Sequence, residues 1–347
     1  MKVLSAAEKI RRLAFLLLSF SSIALLLGHL YQVANFHTLG LWLGLPSMFA
    51  LVGLWWRGRQ SHDQDFLLRL KVGFIGGLWG TLAYDLVRIP LHWAGQNPFP
   101  PIRVYGMWLA GAHHSTPWTD LLGFAYHFSN GISFGWIYAL LMLRRHWGWA
   151  IAWGLLLECL AIFTVFGDIF NIRYAPQAMV LAFVAHLFYG YPLGVACQNP
   201  ERLLQKTVPV FSRARGWITV GLLGFCLVWF IAAWQPLGKQ EPLDPGEIII
   251  GPGAIYPGCL DVKVGTEVRI HNTLDNEARL RLRRPDGLSG DGIEIIIAAK
   301  AKSTVAIKNT GLHQIMLPES GWRSIVIFAH RDGMYRPENK ETPSSNP

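Results

Sequence analysis

Up to about residue 235 the chain alternates long apolar runs with short, mostly basic breaks; beyond it the runs shorten, become β-branched and alternate with charged residues. A helix that crosses about 30 Å of hydrocarbon needs roughly 20 mostly apolar residues. Runs of that kind cover 13–34, 39–56, 72–92, 119–143, 147–166, 176–197 and 216–234, with 39–56 the shortest. They predict about seven transmembrane helices. Downstream, "EIIIG", "LDVKVG", "EVRIHN", "ARLRLRR", "IEIIIA", "TVAIKN", "GLHQIML" and "SIVIFA" follow one another at roughly ten-residue spacing, the rhythm of a β-sandwich. The predicted architecture is an α-helical polytopic membrane bundle over 1–235, a Pro- and Gly-rich linker over 236–246, an all-β sandwich over 247–331 and a flexible tail over 332–347.

Charge adds an orientation. The N-terminal Lys2, Lys9, Arg11 and Arg12 and alternate breaks (Arg57, Arg59, Arg69, Lys71; Arg144, Arg145; Arg202, Lys206, Arg213, Arg215) are basic, whereas the intervening ones hold only Arg103 and Arg173. The positive-inside rule then places the N-terminus in the cytoplasm and, after seven crossings, the sandwich on the periplasmic or extracellular side of an inner membrane. The first apolar run is too long for a signal peptide and no small-residue cleavage site follows it. The net charge of +9 comes from the part before Leu237, since the remainder is balanced. Those basic residues stand where anionic lipid headgroups would meet them, so a lipid bilayer and no nucleic acid is the expected partner. Of Cys159, Cys197, Cys226 and Cys259, only the last falls in the sandwich, which excludes a disulfide within that domain.

The stretch "AIYPGCLDVKVGTEVRIHNTLDNEARLRL", followed later by "NTGLHQIMLPESGWRSIVIFA", resembles the cupredoxin family. The resemblance covers about a quarter of the chain and implies a cupredoxin-like sandwich. It does not extend to the blue-copper ligands. "NTLDNEARL" has Asn, Glu and Ala where the first His is expected, and Leu317 and Ser320 stand near the Cys and His positions of the last loop. His271, His313, Met316 and Cys259 lie off the pattern. The expected role is docking of a periplasmic protein partner or structural support, with another metal site at His313 or Cys259 as a second reading. Alternation puts Arg279, Arg281 and Arg283 on one strand face, either solvated or turned to headgroups or an acidic partner.

The candidate chemistry lies in the helices. His127-x₃-Gly131-x₃-Gly135 and His186-x₃-Gly190-x₃-Gly194 repeat one spacing in two apolar segments. Each places an imidazole on the same helix face as two glycines that admit close helix packing. "GFIGGLWGT" adds Gly73-x₃-Gly77 and Gly76-x₃-Gly80. Asp85, Arg88 and His92 share a face of the third segment, Glu158 sits in the fifth, and Asn130 follows His127. Helix geometry puts Asp85 and Glu158 about 20 Å from the inner ends of their segments, His127 about 10 Å and His186 about 15 Å below the outer boundary. Ionisable groups at such depth are costly unless paired and mark function by default.

Four readings stay open: an Asp85–Arg88 ion pair with hydrogen-bonded histidines; a metal site or pathway from His127, His186, Glu158 and Asp85; axial ligation of a haem by the two histidines, the glycines making room for the macrocycle; and a proton relay or intramembrane catalytic site. His92, His113, His114 and Asn130 are auxiliary outer-side candidates, with His113 and His114 in the long loop between the third and fourth segments. No P-loop, dinucleotide fingerprint, HExxH, nucleophile elbow or CxxC occurs, which argues against a soluble-type enzyme, and no catalytic residue is assigned. The first functional expectation is an inner-membrane protein handling a metal ion, copper before others, from the outer side. The second is a scaffold or assembly subunit of a membrane electron-transfer complex, haem-binding or not, that transports no metal.

Overall fold

The computed structural model describes residues 4–90, 100–170, 172, 176–204, 246–251, 255–283, 293–309, 311–317 and 324–330. The helical part comprises α1 (Ala6–Ser19), α2 (Ser21–Leu30), α3 (Phe36–Leu39), α4 (Leu45–Gln60), α5 (Gln64–Leu86), α6 (Pro100–Ala110), α7 (Pro117–Met142), α8 (Gly148–Ile162), α9 (Val165–Ile169) and α10 (Pro176–Gln198). Helices α1 and α2 form one apolar length, and α3 passes through a π-helical turn, Gly40–Gly44, into α4. Among the described residues, Ala6–Leu30, Phe36–Gln60, Gln64–Leu86 and Met179–Gln198 are long and apolar enough to cross a membrane. The predicted segment 119–143 corresponds to the 26-residue α7, and 147–166 to the shorter apolar α8 with α9 after it. The predicted seventh segment, 216–234, and the tail 332–347 lie outside the described residues, as does all of the linker but Gly246.

The pattern predicts a loop where α6 stands. Pro100 and Pro101 open this helix, and its eleven residues are too few to register as a span. Tertiary packing makes it: Ile102, Val104, Tyr105 and Met107 are buried, and Gly106 and Gly123 let its backbone touch that of α7 at Thr119 and Ile102.

At the end of the bundle away from the sandwich, arginines bind the helix ends together. Asp63 caps α5 by accepting from the Phe66 amide at 3.1 Å, and pairs with Arg11 and, at 2.9 Å, Arg12. Asp65 meets Arg12 and Arg69 at 2.9 Å and Arg144 at 3.6 Å. Arg69 also donates to the Ala139 and Leu140 carbonyls of α7 at 3.0 and 2.8 Å, and Arg144 reaches Glu201 beyond α10. Burial pushes the Asp63 carboxyl up, but hydrogen bonds from Arg11 and the Phe66 amide outweigh it and hold the group below 3.8.

Among the described residues, the C-terminal part has nine strands: β1 (Glu247–Ile250), β2 (Ile255–Tyr256), β3 (Cys259–Lys263), β4 (Glu267–Asn272), β5 (Ala278–Arg283), β6 (Ile293–Ile297), β7 (Lys302–Ala306), β8 (Gly311–Met316) and β9 (Ser324–His330). They form two sheets, ordered β2-β1-β4-β7 and β3-β9-β8-β5-β6, with β1–β4 and β3–β9 parallel and the other pairs antiparallel. Ile248, Ile250, Val268, Ile270, Leu280, Ile315, Ile325 and Ile327 fill the space between the sheets. The alternation along β1 and β4 that predicts strands is the alternation between this core and the outside, whereas β9 is buried on both faces.

The sandwich is seated on the helices through its β3 edge. The chain just before α7 pairs with that edge: the Ser115 amide donates to the Cys259 carbonyl at 3.0 Å and the Asp261 amide to the His113 carbonyl at 2.9 Å. Ser115 Oγ accepts from the Cys259 amide at 2.8 Å, and Arg103 donates to the Gly258 carbonyl at 3.3 Å. Phe328 stacks edge-on against Trp108, at 5.4 Å between ring centroids, within an aromatic cluster that includes Phe36, Tyr105, Tyr126 and Phe170. An unpaired strand edge invites promiscuous pairing, and here the helical part covers one.

Candidate functional site

The glycine ladders set the site by setting helix separation. On α5, Gly73 and Gly77 face Gly135 and Gly131 of α7; a Cβ on Gly77 would lie 2.6 Å from the Gly131 carbonyl oxygen. The other register of α5, Gly76 and Gly80, receives Leu193 and Tyr189 of α10. On the far side of α10, Gly190 meets Ala150 of α8, and Gly154 of α8 meets the His186 carbonyl, each 2.6 Å from where a Cβ would sit. Helices this close bring one-turn neighbours within side-chain reach of each other.

The residue at that reach is, in both cases, a carboxylate. His127 Nε2 lies 3.1 Å from Asp85 Oδ1. His186 Nδ1 lies 2.9 Å from Glu158 Oε2 and from the Ala182 carbonyl. Asp85 is 2% exposed and Glu158 3%. Each acid keeps one buried oxygen, Asp85 Oδ2 and Glu158 Oε1, without a hydrogen-bond partner. Arg88 approaches Asp85 Oδ1 at 3.7 Å, longer than the His127 contact. Between the couples stands Tyr84, whose ring centroid is 5.8 Å from that of His127 and 4.9 Å from that of His186, with the Arg88 guanidinium 5.2 Å over the same ring.

The four side chains named from the sequence as one metal set therefore stand as two His–carboxylate couples. Among the described residues, no group of three or more His, Cys, Asp or Glu is arranged to hold a metal ion. Asn130 is on the His127 helix, its Oδ1 buried without a partner. His113 and His114 lie away from the couples, in the strip that pairs with β3, and His92 lies outside the described residues. Gly135, Gly190 and Gly194 face backbone of neighbouring segments and Gly131 faces the Thr81 side chain, so these glycines open no space for a macrocycle. Tyr84 is the residue that sequence reasoning missed. Its spacing of four to Arg88, a face-sharing pair on a helix, is the signal that could have found it.

Among the described residues of the sandwich, Cys259 and His313 do not come together. Cys259 pairs with Val326 and so faces the helices, whereas His313 pairs with Ile327 and faces the sandwich core. They lie on opposite faces of one sheet and cannot share an ion. Burial pushes the Cys259 thiol far up, away from the thiolate that would bind metal. His271 is on β4, in the other sheet. Arg279 and Arg281 lie on β5 opposite Ile296 and Glu294 of β6, at the sheet edge away from the helices.

His313 is 3% exposed, with Nδ1 unpartnered and Nε2 2.8 Å from the Asn309 carbonyl. Burial lowers its pKa below 6.5, more than the Asn309 contact raises it. A folded state that resists protonation loses stability as pH falls through and below 6.5, where the unfolded chain takes up the proton. Burial lowers His114 in the same direction. The β-sheet unfolding transition of the full chain is therefore expected to fall between pH 7.5 and 5.5. His313→Leu should raise the transition at pH 7.5, by removing a buried unpaired polar atom, and flatten the slope. Circular dichroism melts at the two pH values check this; an unchanged slope would remove His313 from the effect.

No protein-family model matches the chain, and no curated protein sequence matches it. Among solved structures, it is similar to a purple cupredoxin from Nitrosopumilus maritimus, at 16% identity and TM-score 0.21 over 24% of this chain and 99% of that one. It is also similar to a reduced tryptophan-to-tyrosine variant of amicyanin, at 14% identity and TM-score 0.22 over 26% of this chain and 87% of that one. A third is the copper-containing nitrite reductase of Thermus scotoductus SA-01, at 13% identity and TM-score 0.22 over 28% of this chain and 26% of that one.

Proposed function

We propose that this is an integral inner-membrane protein that handles a transition-metal ion through the buried His127–Asp85 and His186–Glu158 couples, with the sandwich on the periplasmic side. The observation that carries the reading is the couple itself: an imidazole held by a buried carboxylate that keeps one oxygen unpartnered. A carboxylate beside an imidazole serves a metal either as a fellow ligand or by accepting one ring N–H while the other nitrogen binds. Asp85 and Glu158 fill either role. Imidazole–carboxylate sites take several divalent ions and favour Cu²⁺ among them, so copper is the first ion to test. Full-length protein purified from metal-replete cells is expected to carry metal that a His127→Ala/His186→Ala double variant loses. Metal-free wild-type protein would overturn the reading.

The orientation has its own test. With seven crossings and the basic breaks inside, a reporter active only outside the cytoplasm should work when fused after Pro347 and stay silent after Arg145. The reverse pattern would remove the periplasmic placement.

A second reading, a scaffold or assembly subunit of a membrane electron-transfer complex, is favoured by the seating of the sandwich. Its β3 edge and Phe328 are fixed to the helices, which presents the opposite edge, with Arg279, Arg281 and the exposed Ile293 and Ile296, in a set position. A stable partner that co-purifies with metal-free protein and is lost on Arg279→Glu/Arg281→Glu would favour the scaffold.

A further inference from the structure

We propose that the sandwich lies against the membrane surface through one face of its five-stranded sheet, on which Arg279, Arg281 and Ile296 meet phospholipid headgroups. This requires that the helices span a bilayer; it needs neither the metal-handling reading nor a given side for the sandwich. Strand register decides which way these side chains point, since directly paired residues of neighbouring strands share a face. Cys259 pairs with Val326, Val326 with Gln314, and Gln314 with Arg283. Arg281 and Arg279 follow at steps of two along β5, so they are on that same face, as are their partners on β6, Glu294 and Ile296. Cys259, Val326 and Phe328 of this face are buried against the helices, whereas Leu280, Ile325 and Ile327 of the other fill the sandwich core. One face therefore runs from the seat on the helices out to the arginines.

The helical seat stops short of that outer part. Helix α6 packs on β3 and α9 on β8, the third of the five strands in sheet order. Strands β5 and β6 continue the sheet at about 4.8 Å each, which carries β6 about 10 Å past β8. There Arg279 and Arg281 are exposed, and Ile296 is 56% exposed. The level is that of the headgroups. Gly77 of α5 meets the Gly131 carbonyl of the antiparallel α7, so Leu86, where α5 ends, is level with Leu122. Trp118 then lies about 6 Å beyond the end of that span, within a headgroup layer roughly 5–8 Å deep. It is 62% exposed, as tryptophans at a membrane–water boundary are. Ser115, just before this turn of α7, carries the hydrogen bonds to Cys259 that seat the sheet.

The chemistry of the face suits phospholipid better than an acidic protein. Arg279 pairs with Glu277 at 2.9 Å, and Glu294 stands across from Arg281, so the row carries both signs. An acidic partner would meet these two carboxylates as well as the guanidiniums. A phospholipid layer offers phosphate to Arg279 and Arg281, which guanidinium groups bind in bidentate fashion, and ammonium to the carboxylates. Ile296, beside Arg279 on the edge strand β6, leaves water by entering the apolar side of that layer.

The test is amide hydrogen exchange of the full-length protein in nanodiscs of phosphatidylethanolamine and phosphatidylglycerol, compared with micelles of dodecyl maltoside, which carries no phosphate. Amides of β5 and β6 are expected to exchange several-fold more slowly in the discs, while those of β4 and β7 in the other sheet exchange alike in both. Arg279→Gln/Arg281→Gln/Ile296→Ser should abolish the difference. Equal exchange of β5 and β6 in discs and micelles overturns the proposal, as does a slowing in discs that both sheets share or that the triple variant keeps. Slow exchange in micelles that is lost when a co-purifying protein is removed also overturns it and assigns the face to that protein. The wild-type comparison of discs with micelles decides the matter even where the variant fails to fold, and every outcome leaves the metal-handling reading to its own test.

Discussion

Gly135→Leu is expected to disrupt the helical core, with a loss of at least about 3 kcal/mol and poor recovery of folded protein. A Cβ at Gly135 meets the Cα and N of Gly77 at 2.7 and 2.9 Å, so the obstruction is backbone, which no rotamer change relieves. The α5–α7 pair must then separate, and Asp85 leaves the reach of His127. Gly190→Leu should act comparably on α8 and α10, where the neighbour is the Ala150 carbonyl and the Ile151 Cα. Gly53→Leu is the control: nothing lies within 4 Å of its Cβ position, and helix propensity favours the change. Thermal unfolding in detergent, read as loss of monodisperse protein, should separate the first two from the third. A Gly135→Leu protein that melts with wild type would show that the ladders are not the contact that sets the bundle.

The sequence makes the ladders visible as spacing but hides what they face. Glycines at i and i+4 imply close packing with some helix, and the apolar runs carry no mark of which one. That Gly73 and Gly77 serve α7 while Gly76 and Gly80 serve α10 follows from three-dimensional packing alone. His127 and Asp85 are 42 residues apart, so their pairing has no local signature. The strands are legible because burial alternates with a period of two and turn residues separate them. The seating of the sandwich is not legible, because His113–Ser115 read as loop and become strand only against the β3 edge. Helix α6 is hidden for a related reason: its eleven residues form a helix because α7 and the aromatic cluster bury them.

Asp85 is the residue whose loss should cost the helical part most after the ladders. Its Oδ1 receives His127 at 3.1 Å and Arg88 at 3.7 Å, and removing one partner of a buried ion pair costs on the order of 3–5 kcal/mol. Asp85→Ala should therefore lower the melting temperature more than Asp85→Asn, which keeps a hydrogen-bond acceptor in place. The two partners should differ. The His127 contact has hydrogen-bond geometry and the Arg88 contact is a longer ion pair, so a double-mutant cycle through Asp85 and His127 should give the larger coupling, within the roughly 0.5–3 kcal/mol found for residues in one network. Arg88 also rests on Tyr84, which supports the guanidinium independently of Asp85. Arg88→Ala should consequently be milder than Asp85→Ala. If the Asp85–Arg88 cycle gave the larger coupling, the acid would serve chiefly as an arginine counter-ion. His127 would then be an accessory to an ion pair, not one half of a His–carboxylate couple.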